Sequence, residues 1–436
     1  MRQIVWFVAV AMLGLASARV AAADSPTSAK FELSVDAGQH DRTNTPVAVL
    51  VAVPESLERT TAVRLLDASG KAVPAQLGPP RLDAAKHGVH DREIDFILPR
   101  LKAGESARFT AEILPADAAA PSAAASPSGD EFHWRDTPGD HTLLSFGDRP
   151  VMEYIYRPLD DSTKGNRTKT YKPFHHVYDS TGKLRLSKGP GGNDTHHRGL
   201  FYGFNRITYG DAGERRTADT WQCTGGSYES HEGFSNIEAG PVLGRHLLAI
   251  DWHGDKKDTF AHEKRELTAY DVPGGTLIEF ASELSTADGP VKLDATDQHH
   301  AGFHFRALNE VASKTSGQTY FLRPDSVGKP GESRNWDPNK IDQRTVGMPW
   351  RGMSFVIGGK RYTAAIIEGP NNPKESRSSE RPYGRFGASF VETVTKDRPL
   401  RVAYRFWIQD AEMKPGQIAR LADDFVDPPA VTVKAE

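Results

Sequence analysis

Apolar and polar residues alternate over short runs along most of the chain, and helical spacing is scarce. Between 31 and 114, Pro46–Val53, Val63–Leu66, Ile94–Leu98 and Ala107–Ala111 read as strands separated by turn residues such as Asp67-Ala68-Ser69-Gly70. They predict a small N-terminal β-sandwich over 31–114. Residues 115–130 contain no bulky apolar side chain to offset their ordering entropy, so this Ala/Ser/Pro stretch predicts a linker. From 131 to 430 strand-like runs recur at Leu247–Trp252, Thr276–Ser282, Gly302–Leu308, Met353–Ile357, Tyr362–Ile367 and Leu400–Ile408, with Gly and Pro in nearly every gap. The best amphipathic helical stretch lies near Pro415–Asp424. The fold class expected is all-β, with a second, large antiparallel sandwich carrying long loops.

The N-terminus changes the picture of where this sandwich works. Arg2 precedes an apolar run from Ile4 to Leu15, and Ala21-Ala22-Ala23 follows, the three-part pattern of a secretory signal over residues 1–23. Cleavage is expected after Ala23, with Ala18 as a second candidate. The apolar run is too short to span a bilayer, which needs about 20 residues. A periplasmic or secreted protein without a membrane anchor after cleavage is the expectation. Its formal charge of -3 comes from well-mixed charges, which argues against nucleic acid or a membrane surface as partner and leaves the oligomeric state open. Cys223 is the sole cysteine, so no internal disulfide can form.

Eleven of the sixteen histidines lie between 175 and 304, eight of them in the groups His175-His176, His196-His197, His231, and His299-His300 with His304. On a strand, neighbours point to opposite faces, so one member of each pair is expected to face a given pocket. Histidine suits proton transfer, metal ligation or hydrogen bonding to sugar hydroxyls. No His-Glu-x-x-His or other compact metal spacing occurs, so no metal ligand is assigned. A divalent metal held by a set such as His176, His197 and His299 stays compatible with the sequence. The bland alternative is that these histidines are buried and satisfied by backbone groups. Arg198, Arg306 and Arg381 share the same motifs, and their planar forks suit a carboxylate or an oxidised sugar, unless each pairs with a nearby Asp or Glu. Trp221, Trp336 and Trp350 lie in loop-rich stretches and offer stacking surfaces, although aromatics in sandwiches are more often core.

In Pro173-Phe174-His175-His176-Val177-Tyr178, His196-His197-Arg198-Gly199-Leu200-Phe201, His300-Ala301-Gly302, the Asn372-Pro373 loop and Arg381-Pro382-Tyr383-Gly384, the sequence resembles the PmoA-like family, exported bacterial proteins labelled "methane oxygenase PmoA". The resemblance covers roughly 140–425. It departs from the family pattern at Glu368-Gly369 and Ser379-Glu380, where the family has histidine. It implies a galactose-mutarotase-like β-supersandwich, similar to aldose mutarotases and polysaccharide lyases, and a carbohydrate setting.

The function expected from these readings is an exported carbohydrate-active enzyme, a glycoside hydrolase or a β-eliminating lyase acting on a glycoside or modified sugar. His197 or His299 would move the proton, with His176 and Tyr383 in the catalytic set. Arg198, Arg306, Arg381, His300, Glu368 and Trp221 would hold the substrate. The alternatives are a non-catalytic carbohydrate-binding protein and, behind it, a metal-dependent oxygenase.

Overall fold

A computed structural model describes residues 28–84, 87–115, 129–296 and 300–436. The expected signal peptide, nearly all of the expected linker, and His299 lie outside the described residues. The described residues are 51% strand and 9% helix, so the all-β expectation holds.

Alternation of apolar and polar positions builds the first unit. The strands Arg42–Ala52, Asp91–Leu101 and Ala75–Gly78 form a three-stranded sheet. A five-stranded sheet contains Ala29–Asp36, Ser106–Ile113 and Val63–Asp67. Leu33, Val49, Ile94, Phe96 and Phe109 fill the space between them. Its fifth strand comes from the far end of the chain. Ala430–Ala435 pairs antiparallel with Ala29–Asp36, setting Phe31 opposite Ala435. The sequence reading missed this return, because a six-residue Ala/Val/Thr segment gives no sign of which edge it will join.

The second unit is a two-layer antiparallel supersandwich. One layer is a nine-stranded sheet that includes Leu243–His253, Thr259–Tyr270, Thr276–Thr286, Leu400–Asp410, Lys360–Glu368 and Trp350–Ile357. The other has eight strands in the order Arg377–Arg381, Arg385–Ser389, Ala301–Arg306, Leu200–Phe204, Phe174–Val177, Arg149–Ile155, His141–Phe146 and Phe132–Thr137. Aromatic rings join the layers, with Phe303 stacked on Tyr404 at 4.7 Å between centroids and Phe305 against Phe406 at 5.1 Å. Such pairs add about 0.5–1.5 kcal/mol each beyond their burial. The helix Pro415–Val426 covers the far face of the nine-stranded sheet through Ile418 and Ala422.

The units meet through charge as well as apolar contact. Arg245, on Leu243–His253, reaches Glu93 at 3.1 Å and Asp95 at 3.4 Å on the first unit's strand Asp91–Leu101. Asp424 of the C-terminal helix accepts from Arg42 at 3.1 Å and from Thr45 at 2.8 Å. No described helix is long and apolar enough to cross a membrane.

Candidate functional site

Alternation along the eight-stranded sheet decides which side chains reach its outer face, away from the sandwich interior. Tyr202, Phe303 and Phe305 point inward to the core. Phe174 and Phe201 point outward, where they pack with Trp221. His304 and Arg306 alternate with Phe303 and Phe305 and share this outer face.

His175 and His176 part as the strand rule requires. His175 turns inward, stacks on Tyr154 at 4.6 Å and sets its Nε2 3.1 Å from His246 Nε2. His176 turns outward, and its Nδ1 lies 2.8 Å from Ser187 Oγ. His196 and His197 break the rule. They sit in a turn, not a strand, with His197 N donating to Asp194 O at 2.9 Å and Asp194 in the left-handed region at φ 51°. Both imidazoles therefore face the same place, 4.1 Å apart between ring centroids.

Three buried anchors hold this turn. Lys188 Nζ donates to the carbonyls of Gly189, Asp194 and His197 at 3.1–3.3 Å. Arg198 donates to the carbonyls of Thr195, Lys172 and Thr168 and lies 4.1 Å above the Tyr171 ring. Gly199 lets the turn close against the strand Phe174–Val177. Its φ is +34°, and a Cβ there would stand 1.9 Å from His175 O.

The turn places His196 and His197 beside His300, with one ligand atom from each within 4.8 Å of the others. Tyr383 lies across His197, ring centroids 6.1 Å apart and nearly parallel at 18°. Arg306 sits over Tyr383 with its Cζ 4.8 Å from the ring centroid, and its Nη1 donates to Tyr383 O. Arg385 donates to Tyr383 Oη at 3.2 Å and to Ser379 Oγ at 3.3 Å, and it approaches His304 Nδ1 at 3.3 Å. Gly387 makes room for that last contact, since a Cβ there would meet the His304 ring at 2.5 Å. Trp221 forms the floor, 4.8 Å from His304.

Several polar atoms are left over. Both ring nitrogens of His197, Nε2 of His196, Nε1 of Trp221, and Nε and Nη2 of Arg306 are buried with no hydrogen-bond partner among the described residues. Buried polar atoms are normally satisfied, and each exception asks for an explanation. Burial, followed by neighbouring cations, pushes the His196 imidazole down to about 3 and drives that of His197 lower still. Burial also lowers the site's cations, with Arg306 and Arg381 brought to about 10 and Lys188 to about 8. Other cations add to the effect: Arg385 beside Arg306 and Arg381, and Arg306 and Arg198 beside Lys188. Such a cluster is short of negative charge.

The structure thus gathers His197, His300, Arg306 and Tyr383 from the expected set, with Arg381 half-buried at the end of the neighbouring edge strand. Other expected members fall elsewhere. Arg198 is fully buried and its guanidinium is committed to backbone carbonyls, so it positions the turn and does not face a substrate. His176 shares the outer face but bonds to Ser187, which removes it from the expected catalytic set. Glu368 follows Ile366 in facing the sandwich interior and pairs with Arg351 at 2.7 Å, while Asn372 pins its loop to Ala403. Trp221, Trp336 and Trp350 are 0%, 9% and 4% exposed, so none offers a ring to a sugar. Of the metal set that the sequence left open, His176 bonds to Ser187 and His299 lies outside the described residues, while His196 and His300 stand beside His197. His196, Arg385 and the anchor Lys188 went unassigned in the sequence reading. The one sign of His196 was its place in the His196-His197 pair, discounted by assuming a strand.

No curated protein matches the sequence. Among solved structures, a protein in the glycosyl hydrolase family 38 from Enterococcus faecalis aligns at 9% identity and a TM-score of 0.45, over 94% of this chain and 47% of its own. The chain thus spans about half the length of that protein. A GalM/aldose epimerase homologue from C. elegans aligns at 10% identity and a TM-score of 0.29, over 65% of this chain and 100% of its own. The family model that matches covers residues 141–423, the supersandwich with all of the site residues just described. The protein belongs to that family, DUF6807, a family of unknown function.

Proposed function

We propose that the chain is an exported enzyme acting on an acidic or oxidised saccharide, by hydrolysis or β-elimination, at the outer-face site around His197, Arg306 and Tyr383. One observation carries the reading. Arg306 is fully buried, yet its Nε and Nη2 have no partner, and no carboxylate pairs with it among the described residues. Several other buried arginines have a carboxylate, although Arg351 also keeps Nε and Nη1 without a hydrogen-bond partner. Arg265 pairs with Glu263 at 2.8 Å, Arg323 with Glu380 at 2.5 Å and Arg351 with Glu368 at 2.7 Å. A buried charge left uncompensated costs several kcal/mol, so a cation kept in this state beside other cations favours an anionic ligand. A guanidinium fork would receive a carboxylate in bidentate fashion.

The saccharide part of the reading rests on the supersandwich and on the motifs of the PmoA-like resemblance, which supply His196, His197 and Tyr383. Enzyme is preferred to binding module because the reactive side chains are gathered, whereas the tryptophans that a shallow binding face needs are buried. The test is a screen of uronate-containing, keto- and neutral oligosaccharides, with Arg306→Met in parallel. The expected result is turnover of an acidic or oxidised substrate, with kcat/KM falling by about 10²-fold or more in the variant, on the scale of a buried charged hydrogen-bond pair. Affinity without turnover would make this a binding protein. Equal activity of Arg306→Met on the preferred substrate would remove the anion from the reading.

A further inference from the structure

We propose that His196, His197 and His300 bind one divalent transition-metal ion at the outer-face site, with Asp194 orienting His197 from behind. The three residues each present a ligand atom within 4.8 Å of the others. Across a tetrahedral zinc site with bonds of about 2.0–2.1 Å, ligand nitrogens stand about 3.4 Å apart. The set is therefore open by about 1.4 Å at most, and two of its members lie in the turn at 194–198. Small rotations of half-buried His196 and His300 about fixed His197 close that gap.

A second observation is independent of the spacing. His197 is 2% exposed, and neither of its ring nitrogens has a hydrogen-bond partner. A neutral imidazole carries one N–H and one lone pair, and this one satisfies neither. Ligation supplies the missing partner for the lone pair. The N–H has its own candidate, because Asp194 Oδ2 stands 3.8 Å from His197 Nδ1. A slight swing of that exposed carboxylate makes the carboxylate–histidine–metal arrangement that fixes ring orientation in metal sites. His196 Nε2 is likewise buried and unpartnered.

Donor type narrows the ion. Three imidazoles suit zinc, copper, nickel, cobalt or iron(II), and they do not suit magnesium or calcium, which demand oxygen. Three protein ligands leave a coordination position open, as in catalytic and unlike structural zinc sites. With Tyr383 across His197 and Arg306 over Tyr383, an anionic oxygen would complete the sphere. A contrasting group supports the assignment. Glu232, Asp251 and His253 also lie within 4.8 Å of one another. There, however, His253 Nε2 meets Ser230 Oγ at 2.7 Å and Nδ1 meets Thr259 Oγ1 at 3.2 Å, so the ring is satisfied without an ion.

The test uses the tag-free, chelator-treated full chain. Calorimetric titration with Zn²⁺, and with Co²⁺ followed by its visible absorption, should each give one equivalent. His197→Ala should weaken binding by more than 10²-fold, and Asp194→Ala by about 10- to 100-fold as an outer-shell loss. His253→Ala should leave both stoichiometry and affinity unchanged. If His197→Ala proves unfolded by circular dichroism, His196→Ala and His300→Ala, both at half-buried positions, give the same reading. No binding by the native chain at millimolar ion, or binding that survives all three histidine changes, overturns the proposal. No saccharide enters this measurement, so its failure leaves the anionic-substrate reading standing, and the failure of that reading leaves this one.

Discussion

Removing Arg245 tests whether the two units are held together by buried charge. The side chain is 1% exposed and donates in three directions across the junction. Its Nε reaches Thr268 Oγ1 at 3.0 Å, its Nη2 reaches Glu93 and Asp95 at 3.1 and 3.4 Å, and its Nη1 reaches Glu238 at 3.3 Å and Pro79 O at 3.4 Å. Arg245→Met keeps the stem and deletes the cation that bonds to Glu93, Asp95 and Glu238 together, leaving Arg81 Nε at 3.8 Å from Glu93 as a more distant one. Breaking a buried pair by removing one partner costs about 3–5 kcal/mol. Burial already holds Asp95 well above the usual carboxylate range, and that of Glu238 is raised too. Protonation of Asp95 therefore relieves part of the loss, which places the expectation near 3 kcal/mol at neutral pH. Losing the arginine raises these carboxyls further above their unfolded values. Stability lost this way grows as pH rises through the gap between unfolded and folded pKa, so the deficit should be larger at pH 8 than at pH 5. Urea unfolding followed by tryptophan fluorescence at both pH values measures it. The triple change Arg245→Met, Glu93→Gln, Asp95→Asn should recover most of the loss, because of the three carboxylates only Glu238 then keeps a charge without this arginine. A deficit below about 1 kcal/mol at pH 8, or one independent of pH, would refute the reasoning.

Two further predictions follow the same physics. Glu229 is buried with neither carboxylate oxygen hydrogen-bonded and Arg265 no nearer than 3.8 Å, and burial pushes its pKa up to about 8, against 4.5 unfolded, so the wild type should lose stability between pH 4.5 and 8. Glu229→Gln should flatten that fall, by up to about 3 kcal/mol at pH 7 at 1.36 kcal/mol per unit; parallel pH profiles for variant and wild type would count against it. Gly199→Ala drives a Cβ toward His175 O at a left-handed φ and should cost more than about 1 kcal/mol. It should also weaken zinc binding without touching a ligand, and an unchanged zinc titration would show that the turn does not set the histidines.

How much of this was legible in sequence depends on the range of the interaction that decides it. The strands Thr276–Thr286 and Leu400–Asp410 were visible because alternation is local, and the C-terminal helix because its 3.6-residue stripe is local too. His175 and His176 parted as predicted for the same reason. The pairing of Ala430–Ala435 with Ala29–Asp36 was invisible because it joins the two ends of the chain. His196 was discounted because the strand rule was applied to a turn, although Asn193-Asp194 just before it is the kind of pair that tolerates left-handed backbone.

The arginines carry that argument to the site. Sequence showed Arg198, Arg306 and Arg381 beside the histidines and left open whether each had a carboxylate partner. That question is settled by contacts between residues far apart along the chain, as when Arg323 meets Glu380, Arg245 meets Glu93 or Arg42 meets Asp424. Once those pairs are formed, the unanswered cation stands out by subtraction. Arg198 is absorbed by three carbonyls and a tyrosine ring, whereas Arg306 keeps two donor atoms aimed at nothing in the chain. A fold that neutralises Arg42, Arg245, Arg265, Arg323 and Arg351 with nearby Asp or Glu had the means to neutralise Arg306 in the same way. That it does so at these buried positions, and at Arg405 with Glu279, but not at Arg306 makes packing a poor account of Arg306 and favours the proposed ligand.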